Sequence, residues 1–203
     1  MKIGVFGGTF NPIHKAHIHW ARQFLRHFGL DEVLIIPANI PPHKPAPELA
    51  PAHDRLEMCR LAAGDEPGFT VCDYEIRQGG ISYTLDTLCY LREEYQSTDI
   101  CLLMGADMFL TVQNWHKPQE IFRLAALYAC AREEGEHQKM KAHKPVLESM
   151  GARCELLQAK PMPMSSTNIR RMIRESGEDT QMLEYLHPAV YNYICERKLY
   201  GAG

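Results

Sequence analysis

The stretch Lys2-Ile3-Gly4-Val5-Phe6-Gly7-Gly8-Thr9-Phe10-Asn11-Pro12-Ile13-His14-Lys15-Ala16-His17 opens the chain with a short apolar run, breaks at two glycines and passes directly into a segment with helical spacing. Lys2 to Phe6 is a candidate strand, and Trp20, Phe24, Leu25 and Phe28 fall on one face of the helix that follows. Glycines let a backbone approach an anion closely, and a helix start offers unpaired N–H groups at the positive end of its dipole. His14 and His17, three residues apart, project to the same side of the first turn, beside that anion site. The spacing matches neither G-x-G-x-x-G nor G-x-x-x-x-G-K-[ST]. Two other readings of the histidines stay open at this point: a pair of zinc ligands, or surface side chains at a helix start with no further role.

Further along, short apolar runs alternate with helical patterns. Candidate strands are Glu32 to Pro37, Thr70 to Ile76, Asp99 to Met104, Leu124 to Ala131 and Cys154 to Leu157, while Leu56, Cys59 and Ala63, and then Leu85, Leu88, Leu91 and Tyr95, share helical faces. Strands joined by helix-length crossovers predict an α/β fold: a Rossmann-like, doubly wound, mainly parallel sheet whose ligands lie beyond the carboxyl ends of its strands. Beyond Met164 the pattern turns wholly helical, with candidates from Ser165 to Glu175 and from Pro188 to Lys198, so the tail reads as a C-terminal helical cap. The 203 residues thus form one domain, a core over 1–160 and a helical part over 161–203. The four prolines between Asn39 and Pro47 mark an extended loop after the second strand, and the polar stretch from Arg132 to Lys144 reads as a solvated loop leading into a helix.

Composition bounds the partners. Hydrophobic residues make up 45% and charged residues 23%, which is globular rather than disordered or fibrous, and the formal net charge of -3 supplies no basic field for a nucleic-acid backbone. Any phosphate site is therefore local. Seven cysteines without C-x-x-C spacing read as small buried hydrophobes of a reducing, cytoplasmic compartment, and the N-terminus reaches glycine too soon for a signal peptide or membrane span.

Four more segments carry polar groups at strand ends or helix starts. Asn39 and Pro41-Pro42-His43-Lys44 follow the second strand, where Lys44 offers a mobile charge suited to phosphates, or is incidental to a stiff surface loop. Glu75-Ile76-Arg77-Gln78-Gly79-Gly80-Ile81-Ser82-Tyr83-Thr84-Leu85-Asp86 reads as a strand end, a glycine turn and a helix capped by Ser82 or Thr84. Gly105-Ala106-Asp107 ends the fourth strand, where a carboxylate either accepts from ribose hydroxyls or caps a helix, and eight residues on stands Trp115-His116 in a polar run. Ser165-Ser166-Thr167-Asn168-Ile169-Arg170-Arg171 combines hydroxyls, a helix start and Arg170 one turn in, which would cradle β- and γ-phosphates or form a serine-capped basic helix.

In this order and almost end to end, the segments resemble the nucleotidyltransferase superfamily with the [HT]-x-G-H motif, and within it the bacterial nicotinate mononucleotide adenylyltransferases. Ala16 stands where that family usually has glycine, and Met164 where its I-S-S-T-x-I-R element has isoleucine. The resemblance implies adenylyl transfer from ATP to nicotinate mononucleotide, with Mg²⁺ carried by the ATP phosphates and no metal site in the chain. It implies catalytic roles for His14, His17, Lys44 and Arg170. ATP contacts would come from Gly7, Gly8, Thr9, Phe10, His14, His17, Gly105, Asp107, Ser166, Thr167 and Arg170. Substrate contacts would come from Asn39, Lys44, Tyr83, Thr84, Trp115 and His116, with the Trp115 indole stacked on the pyridine and the main chain around Tyr83 and Thr84 on its carboxylate. Nucleic acid and membrane are not expected partners, and assembly into homo-oligomers is left open. A sister transferase acting on nicotinamide mononucleotide, phosphopantetheine or glycerol phosphate, and an inactive nucleotide-binding protein of the same fold, are the alternatives.

Overall fold

A computed structural model describes residues 1–42, 48–64, 66–96, 98–131, 133, 135–158, 162, 164–176 and 180–202. The chain alternates β1 (Lys2–Gly8), α1 (Lys15–His27), β2 (Glu32–Pro37), α2 (Ala52–Ala63), β3 (Phe69–Val71), α3 (Tyr74–Gln78), α4 (Thr84–Glu94), β4 (Asp99–Gly105), α5 (Ala106–Phe109), α6 (Pro118–Leu124), β5 (Ala126–Ala131), α7 (Glu136–Ser149) and β6 (Cys154–Gln158), then α8 (Ser166–Ser176) and α9 (Pro188–Glu196). All described strand pairs are parallel, in the order β3-β2-β1-β4-β5-β6. The doubly wound α/β expectation holds, and the order reverses between β1 and β4. Ligands of such sheets collect at that reversal, beyond the carboxyl ends of the two strands.

Successive strand residues face opposite sides, so the central strands feed two cores. Phe6, Val33, Ile35, Cys101, Leu103 and Tyr128 join one cluster with α1, α2 and the tail residues Ile169, Ile173, Met182, Leu186, Val190 and Ile194. Ile3, Val5, Leu34, Ile36, Ile100 and Leu102 join the other, beneath α4 to α7. The helical tail therefore covers one face of the sheet. Asp54, buried in the first turn of α2, fastens it by accepting from the Tyr193 hydroxyl at 2.8 Å and Arg197 Nε at 3.3 Å. Ala16 is fully buried in the first cluster, so its methyl is absorbed by the core.

Four local expectations are corrected. The strand read over Thr70 to Ile76 ends at Val71, because the chain turns into α3 through Asp73 and carries Glu75 inward. Seven residues of alternating character suit either a strand or one helical turn. The helix expected to follow the polar stretch of Arg132 to Lys144 begins within it: α7 starts at Glu136 and buries Met140 and Leu147, seven residues apart and hence on one face. Neither Ser82 nor Thr84 caps α4; its N-cap is Tyr83, and the Ser82 hydroxyl instead accepts from the main-chain N–H of Asn39 at 2.9 Å. Of the cysteines, all free, Cys59, Cys101, Cys130 and Cys154 are buried, but Cys89 is exposed and Cys72 and Cys195 are half-buried.

Candidate active site

A cleft of about 440 Å³ opens where the strand order reverses. The β1–α1 turn supplies Gly7, Gly8, Thr9, Phe10, His14 and His17 to its wall. A Cβ on Gly8 would come within 2.8 Å of the Phe10 ring, so this glycine is required by the turn's own packing. Phe10 itself takes a left-handed backbone, φ 46°, and lies almost wholly buried beneath the cleft. The His14 and His17 rings stack with centroids 3.7 Å apart, and Phe10 meets His17 edge-on at 5.2 Å. The main-chain N–H of His14 donates to His17 Nδ1 at 3.2 Å. Nδ1 being the acceptor, the neutral ring carries its proton on Nε2, which makes that atom a donor.

The start of α1 offers fewer main-chain donors than its sequence suggests. The Lys15 N–H is taken by the Tyr185 carbonyl at 2.9 Å and the His14 N–H by the imidazole.

Asn11 ties the turn to its surroundings. Its amide donates to the Glu48 carbonyl at 2.9 Å, and its Oδ1 accepts from the Ala50 N–H at 3.1 Å and the Tyr200 hydroxyl at 2.8 Å. Burial pushes the Tyr200 phenol far above its ordinary range. Arg55, fully buried, donates to the carbonyls of Thr9, Ala38, Asn39 and Ala50. Sequence reasoning assigned no role to Arg55, and none to Asn11 beyond its place in the motif. The signal at Arg55 was a cation in a helix's first turn beside the apolar positions Leu56 and Cys59.

The tail brings Ser166, Thr167 and Arg170 to the same end of the cleft. Ser165 caps α8 by accepting from the Asn168 N–H at 3.2 Å, and the Ser166 hydroxyl donates to the Pro12 carbonyl at 2.9 Å. Arg170 donates to the Asn11 carbonyl at 2.9 Å and pairs with Glu48 at 3.4 Å, while Arg174 pairs with the same carboxylate at 2.6 Å. Arg174 first, then Arg170, holds the Glu48 carboxyl below the usual carboxylate range.

The opposite end gathers rings. Tyr83, Thr84, Trp115 and His116 line it, with Tyr83 and His116 centroids 4.8 Å apart, and Gly105 and Asp107 line the cleft as well. Trp115 is partly buried against the second core cluster rather than isolated in its polar run. Glu75 lines the wall as well; burial raises its carboxyl above the ordinary value, and the Thr87 hydroxyl donates to it at 2.7 Å. Asn39 does not line the cleft: its amide donates to the Gly80 carbonyl at 2.9 Å, and its main chain is bound to Ser82 and Arg55. Lys44 lies outside the described residues. Among the described residues, no group of three or more His, Cys, Asp or Glu side chains converges as a metal site.

The cytidylyltransferase-like family matches residues 5–172. A probable nicotinate-nucleotide adenylyltransferase of Clostridium botulinum (strain Kyoto / Type A2) is 36% identical over 97% of both chains. One of Synechococcus sp. (strain JA-3-3Ab) is 37% identical over 98% of this chain and 94% of its own. The chain belongs to the nicotinate-nucleotide adenylyltransferase family. Its fold is shared with the nicotinic acid mononucleotide adenylyltransferase of Plasmodium falciparum solved with NaAD, at TM-score 0.80 and 18% identity over 100% of this chain and 98% of that one. Like the family's sequences, the fold match runs through the helical tail, which carries the Ser166-Thr167-Arg170 wall. No helix among the described residues is long and apolar enough to cross a membrane.

Proposed function

We propose that the cleft joins ATP to nicotinate mononucleotide: the mononucleotide's 5′-phosphate attacks the α-phosphorus in line, pyrophosphate leaves, and nicotinate adenine dinucleotide remains. The observation that carries this reading is the cleft's polarity, with stacked imidazoles, hydroxyls and Arg170 at one end and the Tyr83, Trp115 and His116 rings at the other. A phosphate dianion is already nucleophilic, so no general base or covalent side chain is needed. Catalysis reduces to alignment and to donors that meet charge as it develops.

His17 Nε2 and the His14 ring donate to the transferring phosphoryl oxygens. Ser166, Thr167 and Arg170 steady the leaving pyrophosphate, Lys44 bridges the two substrates, and Asp107 accepts from ribose. Gly7, Gly8 and Gly105 allow close approach of the nucleotide at the strand ends. Trp115 stacks on the pyridine, and His116 beside Tyr83 supplies a basic group for its carboxylate. Asn39 acts through the fixed backbone of its loop, since its amide is committed to Gly80.

The donor set at the phosphate end consists of imidazoles, hydroxyls and a guanidinium, and its nearby carboxylate, Glu48, is paired with two arginines. That set suits anions, so Mg²⁺ enters on the triphosphate and supplies charge neutralisation there. We read residues 1–203 as one domain, its part over 161–203 closing the core of 1–160. Seven free cysteines fit a cytoplasmic setting.

The test is pyrophosphate release from ATP and Mg²⁺ with nicotinate mononucleotide, nicotinamide mononucleotide, phosphopantetheine and glycerol phosphate as acceptors. Turnover is expected to be fastest with nicotinate mononucleotide. Faster turnover on the amide or on a non-pyridine acceptor reassigns the substrate, and ATP binding without turnover on any acceptor overturns the enzyme reading.

A further inference from the structure

Arg55 poses a physical problem that the fold alone leaves unsolved. Its side chain is fully buried, and among the described residues no carboxylate forms a salt bridge with it. Four carbonyl oxygens satisfy its guanidinium without neutralising it. The residue also sits in the first turn of α2, where the helix dipole adds to its charge rather than opposing it. A buried cation with no ion-paired carboxylate among the described residues is costly in a folded protein, and a neutral donor at this position would meet the same carbonyls without burying a charge.

The identity of its partners locates the charge. Thr9 belongs to the β1–α1 turn and Ala38 begins the loop after β2, and both line the cleft. Asn39 and Ala50 flank the segment that carries Lys44. One guanidinium thus stands directly behind the wall that faces the nucleotide, with its carbonyl ligands turned toward it.

We propose that Arg55 is a positioning residue for nucleotide transfer, whose buried, unneutralised charge acts through the Thr9 and Ala38 wall to favour polyphosphate over uncharged ligands while its fork fixes the two loops. The inference rests on the phosphate reading of the cleft. The counter-charge that no described carboxylate supplies through a salt bridge is then the nucleotide's own, which gives the buried charge a role beyond its four carbonyl bonds.

Calorimetric binding of adenosine, AMP, ADP and ATP, with Mg²⁺ constant and no acceptor, separates this from a merely structural clamp. In the wild type affinity is expected to rise with phosphate number; a flat series would overturn the phosphate reading itself. In Arg55→Gln, adenosine affinity should change by less than about threefold while the ATP-to-AMP ratio falls by about tenfold, the scale of one unit charge acting across a low-dielectric wall. Equal weakening of all four ligands would overturn the proposal. Should Arg55→Gln fail to fold, Arg55→Lys decides, measured at the lowest pH at which the wild type still binds ATP, because burial lowers a lysine's pKa and only its protonated form keeps the charge. It retains charge but loses the fork, so its ATP-to-AMP ratio should stay within about threefold of wild type. Collapse of that ratio would show that geometry alone was at work.

Discussion

The two walls that meet at the phosphate end of the cleft are built by different means. At the β1–α1 turn the chain is fixed from within: Asn11 and Arg55 bind main-chain groups, and His14 lies buried under the stacked ring of His17. At the start of α8 the corresponding cation is held partly from outside: besides its bond to the Asn11 carbonyl, Arg170 pairs with Glu48, a side chain 47% exposed that it shares with Arg174. Donors that cannot move act best on charge that develops in a transition state. A cation whose counter-ion is exposed can exchange that partner for a ligand, since such pairs contribute little each. Under the reaction proposed above, the difference gives chemistry to the first wall and binding of the leaving group to the second.

The sharpest way to break this division is His17→Ala. Loss of one fixed donor should lower kcat by about 100-fold or more, with KM for ATP changed by less than about threefold and the thermal transition in place. A variant that instead raised KM and kept kcat would make the turn a binding element like α8. Next in size is Asn11→Ala, which removes three side-chain hydrogen bonds and leaves the Tyr200 hydroxyl and the Ala50 N–H without that partner. A cost of about 2 kcal/mol is expected, read as a fall in Tm of roughly 5 °C. Unchanged Tm would mean that the turn owes its shape to other contacts.

How far these features were legible in sequence follows the same line. Two glycines between an apolar run and a helical pattern announce the turn, and histidines three apart announce their shared side, because both signals are local. The sheet was legible because its central strands β1, β2, β4 and β5 bury nearly every residue and read as short apolar runs. Glu75 was misread within a strand because alternation over seven residues also fits a helical turn. The start of α7 was placed too late because its buried face consists of little more than Met140 and Leu147. Arg55 could not be assigned at all: its partners are carbonyls at Thr9, Ala38, Asn39 and Ala50, and a carbonyl leaves no trace in residue type.

The smallest expected effect tests the second wall. Glu48→Gln removes the internal counter-ion of Arg170 and leaves the guanidinium its bond to the Asn11 carbonyl. If ATP must displace Glu48, the variant's KM for ATP falls by about threefold, the scale of an exposed ion pair, while kcat stays within about twofold because the imidazole donors are untouched. Salt narrows the gap between variant and wild type, as it screens the pair that only the wild type has. The pH dependence has a fixed sign. The arginines hold the Glu48 carboxyl below the usual range, so the pair is complete above the ordinary carboxylate pKa and is lost only as pH falls through the lowered value. The gap in KM therefore stays constant across neutral and mildly alkaline pH and closes only in acid. A gap that widened as pH fell would mean that Glu48 acts on ATP through some group other than Arg170, and the contrast between a fixed wall and an exchangeable one would have to be redrawn.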